Sequence, residues 1–214
     1  MNYKNLAIEW LGHSGFLIKN DKTIYIDPFQ ISTSEKADII FITHDHYDHC
    51  SLPDIEKIAK DKTVVVCPSD CQSKITKLKQ DVDIQVLGPG NATVARGVKA
   101  RAVPAYNVDK QFHRKEDEWN GYLIEINGAT IYHAGDTDLI PEMKELGNVD
   151  IALLPVGGKF TMTAEEAGRA AGIIKPKLAI PMHYGNIVGT KQDAEKFVQV
   201  CQSQGIKAEM PEKK

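Results

Sequence analysis

Residues 37–49 read ADIIFITHDHYDH, and this stretch sets both the fold and the chemistry of the chain. The apolar run Ile39–Thr43 predicts a buried strand. Residues two apart in an extended segment point the same way, so His44 and His46 can bind one metal ion. A turn after them would direct Asp48 and His49 toward a second ion beside the first.

The side chains of this segment define the class of ligand. Imidazole nitrogen and carboxylate oxygen suit Zn, Fe, Mn and similar borderline metals. A solvated loop is the alternative, but four potential ligands within six residues favour a metal site. The sequence therefore predicts one or two divalent ions as cofactor, with Zn expected first and Mn, Fe or Ni as alternatives.

Short apolar runs recur along the chain and predict further strands. These runs are Leu6–Leu11, Phe16–Lys19, Thr23–Ile26, Thr63–Cys67, Ile84–Leu87, Val98–Pro104, Tyr122–Ile126, Thr130–His133, Ile151–Pro155 and Leu178–Met182. Asn127-Gly128 is typical of a tight hairpin. Helices are predicted over Ser51–Lys60 and Ser69–Lys79, from Thr163 to before Pro176, and from Asp193 to Gly205. Helices that follow individual strands in both halves suit two stacked sheets with helices outside, a mixed α/β protein.

The composition is that of a globular protein without a specialised partner. A chain of 214 residues predicts a single domain over residues 1–214. A formal net charge of −3 argues against a nucleic-acid partner. No signal segment or membrane-length apolar run is present, so we expect a cytoplasmic protein without a membrane partner and with reduced thiols. Homo-oligomerisation stays open.

Three further segments occur in a meaningful order around residues 44–49. They are IYIDP (24–28), IYHAGDT (131–137) and AIPMHYG (179–185). Together with HDHYDH they resemble the motifs of the metallo-β-lactamase superfamily of hydrolases, from about Leu11 to His183. The resemblance implies that Asp27 supports the metal loop, Asp136 bridges two metals and His183 completes the second metal site.

A narrower resemblance rests on Gly12-His13-Ser14-Gly15, FTM (160–162) and PMHY (181–184). These segments are similar to the subgroup that contains ascorbate-6-phosphate lactonase and many metal-dependent hydrolases. This implies a four-layer αββα sandwich of the metallo-β-lactamase type. It also puts His13 at the active-site edge, hydrogen-bonded to a carboxylate.

The resemblance implies a metal-dependent, lactonase-like hydrolase acting on a small molecule. A metal-bound hydroxide would attack an ester, lactone or phosphoester, with Asp48 orienting the nucleophile and accepting its proton. His44 and His46 would bind the first metal, and Asp48, His49 and His183 the second, with Asp136 between them. The candidate substrate contacts are Tyr106, Asn107, Lys159, Thr161 and Tyr184.

One motif of the family is missing from its usual place. The family has a histidine after the strand that corresponds to Val98–Pro104, whereas Ala105-Tyr106-Asn107 follows here. The nearest histidine is His113. It either reaches back to complete the first metal site or contacts substrate from a lid-like loop, and the sequence alone slightly favours the substrate side.

Three other functions remain open on the sequence. A phosphodiesterase or nuclease could use the same metal centre, although the net charge gives it little support. A mononuclear-iron oxygenase of this fold is a second alternative. A non-catalytic metal-binding domain is a third, which the missing histidine keeps open.

Overall fold

The computed structural model describes residues 1–214 and contains thirteen strands and four α-helices. The strands are β1 (Asn2–Tyr3), β2 (Leu6–Gly12), β3 (Gly15–Lys19), β4 (Thr23–Ile26), β5 (Ile39–Phe41), β6 (Val64–Cys67), β7 (Asp83–Val86), β8 (Ala92–Ala95), β9 (Val98–Pro104), β10 (Asn120–Ile126), β11 (Ala129–His133), β12 (Ile151–Pro155) and β13 (Leu178–Met182). The α-helices are α1 (Leu52–Ile58), α2 (Gln72–Ile75), α3 (Ala164–Ile174) and α4 (Lys191–Ser203).

The strands form two mixed sheets with related topologies. The first sheet has the order β1-β2-β3-β4-β5-β6-β7, and the second β13-β12-β11-β10-β9-β8. Pairing in the first sheet is antiparallel up to β4 and parallel from β4 to β7. In the second sheet, β8 to β11 pair antiparallel and β11 to β13 pair parallel. Each sheet therefore has one edge at which several parallel strands end together.

Alternating side chains divide the interior into layers. Ile24 and Ile26 of β4 enter a large core shared with the second sheet, whereas Tyr25 enters a smaller core beneath α1 and α2. The rings of Phe41 and Tyr122 lie 5.2 Å apart and join the two sheets directly. Helices α3 and α4 pack on β12 and β13. The predicted αββα sandwich is confirmed.

Most predicted elements are present, with changes at particular ends. Strand β5 stops at Phe41, before the predicted end at Thr43, because the Thr43 amide donates to Asp27 Oδ1 and not to a neighbouring strand. The helix predicted over Ser69–Lys79 is instead a 3₁₀ turn (Ser69–Cys71) followed by the short α2. The amides of residues 77 and 78 bond to carbonyls three residues back, which tightens the chain before it enters β7.

The last helix begins at Lys191, two residues before the predicted start. Thr190 is its N-cap and accepts from the Asp193 amide, so Asp193 occupies the third helical position of a capping box. All four cysteines are free and buried. The structure contains no helix with both the length and the apolar composition needed to cross a membrane.

Candidate metal centre

The candidate ligands converge on the edge where the parallel strands end. Asp27 follows β4, residues 43–49 follow β5, Asp136 follows β11 and His183 follows β13. The carboxyl ends of parallel strands meet at one edge of a sheet, and stacking the two sheets brings both edges together. Gly135 is required before Asp136, because a Cβ at this position would lie 2.5 Å from the Asn120 carbonyl oxygen.

Asp27 fixes the loop that carries the histidines. Its Oδ1 accepts from the Thr43 amide at 2.8 Å, and its Oδ2 accepts from the Thr43 hydroxyl at 2.6 Å and from His49 Nδ1 at 2.7 Å. The Thr43 hydroxyl, having donated its proton, can accept from His44 Nδ1 at 3.0 Å. Both histidines therefore turn their Nε2 lone pairs away from this support.

One cluster consists of three histidines. The donor atoms of His44, His46 and His113 all lie within 4.8 Å of one another. His113 is buried, and its Nδ1 lies 3.0 Å from Asn107 Oδ1, an acceptor. The proton is therefore on Nδ1, which leaves the Nε2 lone pair free toward Asp136 Oδ2 at 3.4 Å.

A second cluster adjoins the first. The donor atoms of His13, Asp48, His49 and His183 also lie within 4.8 Å of one another. Asp136 lies between the two clusters and groups with His44 and His49. Its Oδ2 lies 2.9 Å from His183 Nε2 and 3.4 Å from His113 Nε2, and its Oδ1 lies 3.4 Å from His49 Nε2. The structure thus brings together all six predicted metal ligands, and His113 with them.

Buried atoms without partners test whether metal ions fit here. The Nε2 atoms of His49 and His113 and Oδ1 of Asp136 are buried and have no hydrogen-bond partner, and His183 Nε2 forms no hydrogen bond although it lies 2.9 Å from Asp136 Oδ2. An unsatisfied buried polar atom costs about 1–3 kcal/mol, so three ring nitrogens around a carboxylate oxygen that also lacks a partner need a shared partner. Divalent ions with nitrogen and oxygen ligands meet that need, and the residues present fit them.

The electrostatics keep most ligands in their metal-binding forms at neutral pH. Burial lowers the pKa of His113 to about 4 and that of His44 well below its usual value. Burial would raise the pKa of Asp136, but His183 and His49 hold it well below its usual range. Burial would lower the pKa of His49, yet Asp136 and Asp27 raise it well above. A proton at His49 therefore competes with metal, and metal affinity should fall as pH falls.

The five candidate substrate contacts are found in different surroundings. Tyr106 is buried and donates to Glu142 Oε2 at 2.9 Å, Asn107 binds His113, and Tyr184 stacks on Trp10 at 4.9 Å. Thr161 is buried with its hydroxyl unpartnered, and Lys159 is exposed beside the Phe160 ring. Lys159 and Thr161 thus keep free polar atoms. Tyr106 and Asn107 use their polar groups within the protein, and the Tyr184 ring is packed on Trp10.

Three residues with clear roles were not predicted from the sequence. Thr43 orients His44, as described above. Asp138 accepts from the Val108 amide at 2.9 Å and holds the loop that carries His113. Trp119 packs 4.8 Å from both His44 and His46. A tryptophan in an otherwise charged segment was the available signal for Trp119, whereas Asp138 lies in no pattern.

Two stacked mixed sheets with a shared histidine–aspartate centre at their edge define a metallo-β-lactamase-type metal-dependent hydrolase. Residues 7–183 match the family model of the β-lactamase superfamily domain. The chain belongs to this superfamily and, within it, to the UPF0173 metal-dependent hydrolases.

Relatives and solved structures agree over nearly the whole chain. A UPF0173 metal-dependent hydrolase of Thermococcus kodakarensis is 35% identical over 217 residues, covering 96% of this chain and 95% of the relative. A crystal structure from Parabacteroides distasonis aligns with a TM-score of 0.86 and 32% identity, covering 98% of this chain and 94% of that one. A metallo hydrolase of Ignicoccus hospitalis aligns with a TM-score of 0.78 and 28% identity, covering 97% and 95%.

Proposed function

We propose that the protein is a two-metal hydrolase that cleaves a small ester, lactone or phosphoester, with Zn²⁺ as the first metal to test. The observation that carries the proposal is the position of Asp136 between the two ligand clusters. One carboxylate contacts His113 from one cluster and His49 and His183 from the other. A carboxylate between two such clusters can neutralise and bridge a pair of adjacent cations.

The proposed ligand sets follow from the clusters. His44, His46 and His113 would hold the first metal, and Asp48, His49 and His183 the second, with Asp136 bridging. The ions would lower the pKa of a water molecule and polarise the scissile carbonyl or phosphoryl oxygen of the substrate.

The histidine absent from its usual motif position has a candidate replacement. The sequence favours a substrate-side role for His113, but its geometry supports ligation. The Nδ1–H is bound by Asn107 and the bare Nε2 is directed at Asp136. A ligand held in this way has its tautomer and ring orientation set in advance.

Asp48 is the proposed proton acceptor. Burial alone would raise the pKa of its carboxyl, but the hydrogen bond from His13 and the neighbouring His49 lower it to about 2. Asp48 is therefore ionised at neutral pH. Its Oδ2 lies 3.8 Å from His49 Nε2, so the charge sits within the centre. An ionised carboxylate there can orient a nucleophilic water and take its proton.

The surroundings of the centre favour an ester or lactone with an apolar part. Tyr47, within the ligand loop, is 66% exposed, and Phe112, next to His113, is 48% exposed. The ring of Phe112 lies 4.7 Å from that of Phe160.

The cations near His113 are mostly neutralised within the protein. Lys110 pairs with Asp138, Arg114 with Asp117 and Lys115 with Glu142. A nuclease would need free cations to bind phosphates, so this surface gives the nuclease alternative little support.

Metal analysis followed by a substrate panel tests the proposal. The fully loaded protein should bind two divalent ions per chain and hydrolyse a small lactone, ester or phosphoester. Chelation should abolish turnover and Zn²⁺ or Mn²⁺ should restore it. Phosphodiester cleavage without ester cleavage would support the nuclease alternative, and oxygen consumption the oxygenase. A metal-loaded protein that turns over nothing in the panel would support the non-catalytic domain.

A further inference from the structure

The turn between β2 and β3 reaches the metal centre from outside the ligand motifs. It consists of residues 12–15, and His13 is 1% exposed with its ring within the second cluster. Its backbone φ is 50°, a left-handed conformation that is uncommon for residues other than glycine. The contacts of His13 therefore need an explanation.

The side chain of His13 forms a hydrogen bond with one candidate metal-ligating residue. His13 Nε2 lies 2.9 Å from Asp48 Oδ2. An ionised carboxylate can only accept, so Nε2 carries the proton and the ring orients Asp48. Among the candidate ligands, the ring also packs against His183 at 4.0 Å and His49 at 5.5 Å between centroids. These contacts are confined to the second cluster.

The backbone of His13 forms a hydrogen bond with a second candidate metal-ligating residue. Its carbonyl oxygen accepts from the His183 amide at 2.9 Å and from Trp10 Nε1 at 2.9 Å. His183 is itself left-handed, with φ of 59°. In the same turn the Ser14 carbonyl lies 2.9 Å from His133 Nε2 on β11, so a second contact ties the turn to the other sheet.

We propose that His13 is a positioning residue that assembles the second metal site from both halves of the protein. Its ring orients Asp48, which follows β5 of the first sheet. Its carbonyl orients His183, which follows β13 of the second sheet. The inference rests on the proposed two-metal centre. We therefore expect that removing the His13 ring weakens binding of the second metal ion and leaves binding of the first unchanged.

Side-chain variants separate this role from a purely structural one, because they leave the carbonyl in place. His13→Gly removes the ring and tolerates the left-handed backbone. His13→Asn keeps an amide that also tolerates this conformation but is too short for Asp48. His13→Gln extends the amide so that its N–H can occupy the place of Nε2. The last two variants differ by a single methylene.

The experiment is a Co²⁺ titration of metal-free protein, followed by visible absorbance and bound-metal analysis. Wild-type protein should bind two ions. In His13→Gly and His13→Asn the second ion should bind about 10- to 100-fold more weakly, the usual effect of losing a residue that orients a ligand. Binding of the first ion should change less than about threefold. His13→Gln should recover most of the second-site affinity with an unchanged Co²⁺ spectrum.

Three results would overturn the inference. Unchanged second-site affinity in both truncated variants would exclude any role for the ring. If His13→Gln binds the second Co²⁺ ion as weakly as His13→Gly does, and the spectrum of that ion is altered, His13 is a direct metal ligand. Wild-type protein that binds one ion would overturn the two-metal centre first, and this inference with it. Thermal unfolding of the metal-free variants provides the folding control. If only one of His13→Gly and His13→Asn folds, that variant is enough for the test.

Discussion

Asp27→Asn is the substitution whose cost the structure defines most closely. The carboxylate accepts three hydrogen bonds, two from Thr43 and one from His49. An asparagine offers one carbonyl oxygen and one donating NH₂ group. If the oxygen takes the place of Oδ2, the NH₂ group faces the Thr43 amide, and one bond is replaced by two opposed donors. The reverse orientation loses two bonds.

The better orientation therefore loses one hydrogen bond to a buried charged group, which is worth about 1.5–3 kcal/mol. The free energy of unfolding of metal-free protein should fall by about 2–3 kcal/mol. For a chain of this size each kcal/mol lowers Tm by about 2–4 °C, so the expected decrease is about 4–12 °C. Because His49 also loses its charged support, second-metal affinity should fall about 10- to 100-fold.

The assay combines urea unfolding of metal-free protein with metal titration, and Asp45→Asn is the matched control. Asp45 lies in the same loop, but its carboxylate is half-buried and pairs with Lys74 at 2.9 Å. Losing such a pair should cost less than about 1 kcal/mol and leave metal binding unchanged. An Asp27→Asn protein as stable as this control, with wild-type affinity for the second metal, would refute the reasoning.

Three further predictions concern separate parts of the molecule. His113→Ala should weaken the first metal about 10-fold or more and spare the second, because it removes one ligand of the three-histidine set; unchanged metal content with a raised KM would instead support the substrate-side role. Asp48→Asn should reduce turnover far more than stability, since an amide cannot take a proton from water, and equal rates at matched metal occupancy would contradict this. Burial would raise the pKa of Asp150, but Lys177 and the Thr130 amide hold it well below its usual range. A lowered folded-state pKa stabilises the protein above the unfolded value of about 3.9, and this contribution is lost as pH falls. Asp150→Asn should therefore unfold more easily by about 2 kcal/mol at pH 7, with a difference that shrinks below about pH 4 in urea unfolding.

The strand pattern could be predicted from the sequence because its signals are local. Apolar runs identify eleven of the thirteen strands, and Asn127-Gly128 does close the β10–β11 hairpin with both residues at positive φ. Strands β1 and β8 were missed, since β1 has only two residues and β8 (ATVA) has a single bulky apolar side chain, Val94. Their pairing with a longer neighbour makes them strands, and pairing is not visible in the local sequence.

The candidate site could be predicted only where its motifs are continuous. Residues 44–49 are recognisable as a metal site because four candidate ligands lie within six residues. Asp136 and His183 were predicted from the family resemblance. The placement of His113 depends on a loop closed by its carbonyl accepting from the Asn107 amide, and on Asp138 holding that loop. The family resemblance placed His13 beside a carboxylate, but that this carboxylate is Asp48, 35 residues away, follows only from the fold. Such contacts arise from tertiary packing, and no local pattern encodes them.

Anomalous diffraction at the zinc edge, from crystals of Zn²⁺-loaded protein, tests the central claim most directly. We expect two peaks about 3.5–4 Å apart, both in contact with Asp136. One should lie against His44, His46 and His113, and the other against the cluster of His49 and His183. A single peak, or peaks that do not contact Asp136, would contradict the two-metal centre.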